Sequence, residues 1–184
     1  MFDLDRFVAD CRAALLEPSP QVATREIVRR AVAQPSDVEW ALGTPHEGKF
    51  ITLYHAPDLT ILNLIWAPGM ALYPHDHRMW AGIGLYGGRE DNTFYRRSPQ
   101  GLIRTGGKTL ATADVVILGD QVIHAVTNPS TRFTGALHVY GGDFFAAPRS
   151  EFDPETFAER PYDAERVKRL FREANARLQA ASGT

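Results

Sequence analysis

Residues 114–142 read DVVILGDQVIHAVTNPSTRFTGALHVYGG: three short runs rich in Val, Ile, Thr and aromatic residues, cut apart by Gly119-Asp120 and Asn128-Pro129-Ser130. β-branched and aromatic side chains suit a pleated, half-buried surface, whereas Gly, Asn, Asp and Pro suit turns. The runs 114–118, 122–127 and 133–140 are therefore predicted strands. The same pattern extends back to about Gly48, with further strands predicted at 50–55, 60–66, 80–86, 93–97 and 102–105. Turn signals separate these at 56–58, 67–69, 87–88, 98–101 and 106–107. Eight short strands with no helix between them predict a closed or two-sheet antiparallel architecture, a barrel or jelly roll, and such folds enclose pockets.

On either side the period changes from two to about 3.6. Phe2, Leu4, Phe7, Val8, Cys11 and Leu15 form one apolar stripe of a helix that ends before Pro18. Ser19 as N-cap and Pro20 at the first helical position open a second helix, with Ala23, Ile27, Val28, Ala31 and Val32 on one face and Pro35-Ser36 closing it. Residues 143–161 read as irregular, with Asp153-Pro154 able to start a helical turn. Asp163 then caps a final helix at about 160–180, whose stripe is Val167, Leu170, Phe171, Ala174 and Leu178. The expectation is a mainly β single domain over 1–184: a helical segment at 1–36, a barrel at about 48–142 and a C-terminal helix.

With 44% hydrophobic and 23% charged residues the chain has the composition of a protein that buries a core. Twenty Lys and Arg against 22 Asp and Glu leave a net charge of -2, which gives no basic footprint for a nucleic acid. A single cysteine allows no internal disulfide. The acidic, periodic start is unlike a secretory signal, and no apolar run is long enough for a membrane span, so a cytoplasmic monomer or small homo-oligomer is expected.

Six histidines occur, at 46, 55, 75, 77, 124 and 138. On an extended strand His75 and His77 would point to one face, with attachment points about 6–7 Å apart, and Asp76 to the other. Both rings could reach one ion. A third ligand at a suitable angle must come from another strand, and His124, inside Val122-Ile123-His124-Ala125-Val126, is the candidate. The set His75, His77 and His124 suits a metal such as iron or zinc. Cys11, on an apolar stripe, reads as core.

The spacing Gly69, five residues, His75-Asp76-His77 and a later Gly88, followed by Gly119-Asp120 and His124 with Asn128, resembles the two motifs of the cupin superfamily. That resemblance implies a double-stranded β-helix, or jelly-roll barrel. Many cupins place a glutamate ligand soon after the His-x-His, but Arg78-Met79-Trp80-Ala81-Gly82 supplies no carboxylate. In this all-histidine character the chain is similar to the thiol dioxygenases, the family of cysteine dioxygenase and 3-mercaptopropionate dioxygenase, and mainly to their bacterial branch. The likeness lies in Trp66-Ala67-Pro68-Gly69, His75-Asp76-His77 with Trp80, Gly87-Gly88-Arg89-Glu90, Ile123-His124 with Asn128, and His138-Val139-Tyr140-Gly141-Gly142-Asp143.

The resemblance implies Fe(II) on His75, His77 and His124, O2 as cosubstrate, and oxidation of a small-molecule thiol to a sulfinate. It implies that Tyr140 and His138 form a catalytic outer-sphere pair, although the family's serine two residues earlier is Ala136 here. It implies that Arg149 binds the substrate carboxylate, since Thr52-Leu53-Tyr54-His55 lacks the arginine that cysteine dioxygenase uses. The crosslinking cysteine of some animal members corresponds to Gly82. His46 and His55 are expected at the surface or pocket wall, and Arg78 and Trp80 near the entrance, Trp80 chiefly as packing. Two alternatives stay open: a three-histidine dioxygenase acting on a chelating substrate such as a diketone, and a non-catalytic metal-binding cupin.

Overall fold

The computed structural model describes residues 1–99 and 101–182, so Gln100 of the turn expected at 98–101 lies outside the described residues. Three helices, α1 (Leu4–Ala14), α2 (Pro20–Val32) and α3 (Pro35–Leu42), precede eleven strands. The strands are β1 (Lys49–Ala56), β2 (Leu59–Trp66), β3 (Ala71–Asp76), β4 (Ala81–Gly87), β5 (Arg89–Ser98), β6 (Gly101–Ala111), β7 (Val115–Leu118), β8 (Ile123–Thr127), β9 (Thr134–Tyr140), β10 (Ser150–Phe152) and β11 (Glu159–Pro161). Helix α4 (Ala164–Ser182) closes the chain. Among the described residues no helix is long and apolar enough to cross a membrane.

The strands form two sheets, ordered β1-β2-β9-β4-β7 and β11-β10-β3-β8-β5-β6. Every ladder within them is antiparallel. This is the two-sheet jelly-roll barrel expected from the sequence. Alternation on β2 and β9 explains how it is filled. Leu62, Leu64 and Trp66, with Ala136 and Tyr140, point between the sheets. Leu59 and Ile61, with Leu137 and Val139, point outward and pack against Phe7, Cys11, Val28 and Val32 of α1 and α2. Both faces of these strands are therefore buried, and β2 reads as an almost unbroken apolar run. Cys11 is buried here, and burial pushes its thiol up to about 12, so it acts as a small hydrophobe.

Helix α4 covers one end of the barrel. Asp163 caps it through the amides of Glu165 and Arg166. Phe171 stacks on Trp66 at 5.6 Å and meets Phe50 at 5.9 Å. The Asn175 side chain holds both backbone groups of Gly48 at 2.7 and 2.8 Å, tying the helix to the start of β1.

Four features depart from the sequence reading. Pro35 opens α3, because a proline without an N–H is as suitable at a helix start as after a helix end. Gly106-Gly107 lies inside β6, beside a bulge where the register with β5 shifts at Phe94/Tyr95. The segment read as irregular contains β10 and β11, joined by a turn in which Asp153 accepts from the amides of Glu155 and Thr156. The run 71–76, absent from the eight predicted strands, is β3, between β8 and β10. Gly88, with φ +80, is where the chain leaves β4 for β5 in the other sheet; a Cβ there would lie 2.3 Å from Thr134 Oγ1.

Candidate metal centre

His75 stands directly opposite His124 in the β3/β8 ladder, and His77 follows β3 by one residue. All three rings are buried, and their candidate donor atoms lie within 4.8 Å of one another. Asp76 points away from them, as alternation requires, and pairs with Arg78 at 2.9 Å and Arg97 at 2.7 Å.

The tautomers follow from the partners. His75 Nδ1 lies 3.0 Å from the Tyr73 carbonyl, so it carries the proton and donates, leaving Nε2 as a lone pair. His124 Nδ1 lies 2.7 Å from Asn92 Oδ1. The amide of Asn92 is oriented by its other end, where Nδ2 donates to Glu90 Oε1 at 2.8 Å. Asn92 therefore accepts from His124, whose Nε2 is also a lone pair. That atom lies 3.3 Å from His77 Nε2. Such a convergence of neutral imidazoles, two of them oriented by a partner behind the ring, is a donor set that could hold a divalent metal ion.

The rings are neutral at pH 7. Burial lowers the His75 pKa to about 4 and holds His77 and His124 well below the usual range, and for the latter two the neighbouring histidines reinforce this. Glu90, fully buried, is raised to about 7 by desolvation, against the lowering effect of its bond from Asn92.

On β9, in the opposite sheet from the His75 ladder, His138 and Tyr140 face the same pocket, with His138 Nδ1 3.0 Å from the Tyr140 hydroxyl. Burial lowers His138 to about 3 and raises Tyr140 above its ordinary value. His138 Nε2 has no hydrogen-bond partner among the described residues. Ala136, two residues earlier on the same face, offers it no hydroxyl.

Arg149 is 8% exposed and lies between two rings, its guanidinium carbon 3.8 Å from the centre of Phe144 and 4.0 Å from that of Tyr162. Tyr162 in turn lies 6.1 Å from His75, ring centre to ring centre, so the same ring touches the Arg149 cation and neighbours an imidazole. Arg149 Nε and Nη1 have no hydrogen-bond partner among the described residues. The three histidines, His138, Tyr140 and Arg149 all line one cavity of about 240 Å³.

Other residues singled out in the sequence lie elsewhere. Exposed His55 contacts Asp143 at 2.9 Å, and His46 contacts the Thr44 carbonyl. Arg78 is tied to Asp76, and Trp80 packs in the outer core with α1 and α2, so neither lines the cavity. A side chain at position 82 would face Thr24 and Val28 of α2; the residue opposite Tyr140 on β4 is Ala81. Asn128 is a clamp: its amide reaches the carbonyls of Trp66, Ala67 and Arg132, and its oxygen accepts from Ser130. Sequence reasoning missed Asn92, Phe144 and Tyr162. Glu90 and Asn92, two apart on a strand, carry the detectable signal of polar residues on one inward face.

No family model matches the chain. Among solved structures it is similar to a cupin superfamily protein from Desulfitobacterium hafniense, 16% identical over 56% of this chain and 86% of that one, TM-score 0.44. It is also similar to a cupin domain from Schizosaccharomyces pombe, 11% identical over 53% and 66%, TM-score 0.45. A third is the oxalate decarboxylase of Bacillus subtilis, a protein with Mn(II) centres: 14% identity, 59% of this chain but only 29% of the decarboxylase, TM-score 0.46. No residue's role is carried over from these likenesses.

Proposed function

We propose that the protein is a mononuclear non-haem iron thiol dioxygenase, which converts a small carboxylate-bearing thiol and O2 into the sulfinate, with both oxygen atoms ending on sulfur. One observation carries this reading: a single pocket combines three neutral imidazoles and no carboxylate donor with a buried guanidinium that has two unpartnered nitrogens. His75, His77 and His124 would hold the ferrous ion. The fit rests on the convergence of their ring nitrogens and on the carbonyl and amide partners that fix His75 and His124.

Fe(II) held in this way supplies redox chemistry toward O2 and keeps positions open for other ligands. Three neutral donors leave its double charge uncancelled, which favours an anionic sulfur in the pocket. Arg149 binds the carboxylate through charge-assisted hydrogen bonds from its free N–H groups, and its two ring neighbours fix the plane of the fork. If His138 donates from Nδ1 to the phenol oxygen, the Tyr140 hydroxyl proton is free to point at the reacting atoms. Burial keeps both groups neutral, so the pair positions a proton without holding charge there.

The test is anaerobic loading with Fe(II), then oxygen-electrode assays on 3-mercaptopropionate, cysteine, cysteamine and mercaptosuccinate. Uptake of one O2 per sulfinate is expected, with the acids favoured over cysteamine. No uptake with any thiol overturns the proposal. Arg149→Ala should raise the KM for acidic thiols without changing iron content, whereas His124→Ala should lose the metal.

A second reading has its own observation, the unpartnered His138 Nε2 beside Ala136. It is a three-histidine dioxygenase acting on a chelating diketone. Oxygen uptake with diketones and none with thiols would favour it. Stoichiometric zinc, with no activity after iron loading, would favour a non-catalytic metal-binding role.

A further inference from the structure

Arg149 and the metal-facing groups account for only part of the cavity. Much of the remaining wall comes from Leu62, Leu64 and Trp66 of β2, Leu72 of β3, Val126 of β8 and Phe171 of α4, while Lys168, the one further charged lining residue, is paired with Glu165 at 2.6 Å. The six apolar residues are all at most 8% exposed. The only polar atom these six side chains offer is the indole N–H of Trp66. A polar group placed against this wall would lose its hydration without gaining a partner, which is unfavourable.

Size points the same way. The cavity's 240 Å³ is many times the roughly 10–15 Å³ needed to hold one water. The six non-hydrogen atoms of 3-mercaptopropionate, bonded to one another, fill only part of such a cavity. With the carboxylate on Arg149 and the sulfur at the histidines, so short an acid leaves the β2/α4 wall facing loosely held water or empty space. Displacing poorly ordered water with apolar surface gains affinity.

We infer that the substrate is a hydrophobic mercaptocarboxylic acid, one whose carbon frame carries an alkyl or aryl substituent that packs between β2 and α4. This inference rests on the thiol dioxygenase reading for the sulfur, but its apolar subsite is measurable without any turnover.

The experiment is calorimetric titration of iron-loaded protein under anaerobic conditions with propionate, butyrate, hexanoate and 3-phenylpropionate, repeated on metal-free protein. None of these acids contains sulfur, so none can be oxidised at it. Binding should tighten about three- to fourfold for each added methylene from propionate to hexanoate, and 3-phenylpropionate should bind more tightly than propionate. Arg149→Met should weaken every member by tenfold or more while keeping the increment per methylene. Leu64→Trp, checked for folding by thermal unfolding, should compress the hexanoate-to-propionate ratio toward one. Equal or falling affinity along the series on the unaltered chain overturns the inference, as does an unchanged ratio in folded L64W. A rising series together with no oxygen uptake by any thiol sinks the dioxygenase reading and leaves the apolar subsite standing. A flat series together with uptake on 3-mercaptopropionate removes the subsite alone.

Discussion

His124 can present Nε2 to the pocket because its other ring nitrogen is occupied by Asn92, and Asn92 can accept because Glu90 occupies its amide hydrogens. Partners of this kind behind a metal-ligating histidine typically contribute 10–100-fold in metal affinity. Asn92→Ala should therefore weaken binding of Fe(II) or Zn(II) by about that factor, measured by competition with a chromophoric chelator; unchanged affinity would remove Asn92 from the site. Glu90 yields a separate prediction. Its folded pKa near 7 stands above the ordinary 4.5, so its contribution to stability is full below about pH 4.5 and is lost as pH rises through 7. Glu90→Gln keeps an acceptor for Asn92 and removes the titration. Relative to the unaltered chain it should gain at most about 3 kcal/mol at pH 8 and almost nothing at pH 4.5, by urea unfolding of metal-free protein. Equal differences at both pH values would show that Glu90 ionises there without penalty. The histidines were legible in the sequence because a His-x-His on an extended run has few bland explanations once a third histidine sits in an apolar strand. Asn92 was not, since an asparagine in a strand shows its purpose only when its partner across the ladder is known.

At the level of elements, the apolar run of β2 was legible because both its faces are buried, and a nearly continuous row of Leu and Ile leaves no other use for the chain. Legibility failed where one residue type serves two geometries. Pro35 fits a helix end or a helix start, and Gly106-Gly107 fits a turn or a bulged strand. Strand β3 was hidden because Pro74 lies inside it, and a proline ordinarily argues against a central strand; here the β3/β8 register is irregular between Leu72 and His75, which accommodates it. The seam between α2 and β4 makes a prediction about element packing. A Cβ on Gly84 would stand 2.4 Å from Val28 Cγ1 and 3.1 Å from Val32 Cγ1. Valine in a helix has essentially one χ1 rotamer, so relief requires α2 itself to move. Gly84→Ala should destabilise the protein by about 1–3 kcal/mol, seen as a drop in Tm. A Tm within error of the unaltered chain would mean that α2 rides loosely on the sheet.

Over the whole molecule, the barrel keeps several titratable groups dry at once, and their signs partly oppose. His75 titrates near 4 and His138 near 3 in the folded state, and His77 and His124 lie well below 6.5, whereas in the unfolded chain all four take up a proton near 6.5. Their contribution to stability is therefore full above about pH 6.5 and is lost as pH falls toward 4 and 3. Glu90 acts oppositely between about 7 and 4.5, because the folded state already holds its proton there. Four imidazoles against one carboxyl leave the unfolded state about three protons ahead near pH 5.5, so metal-free protein should lose at most about 4 kcal/mol per pH unit in that region. Glu159, held near 2 mainly by Arg97, adds a smaller and solvent-screened loss below 4.5. A metal on the three lone pairs binds only the folded, neutral set. At a hundredfold excess over Kd it should stabilise by about 2.7 kcal/mol at pH 7, and that gain should shrink with acid as protons compete for the same nitrogens. Chelator treatment that shifts the urea midpoint at pH 7, and fails to shift it in His124→Ala, is the expected pair of results. A midpoint indifferent to chelator in metal-loaded unaltered protein would mean that these imidazoles converge for packing alone.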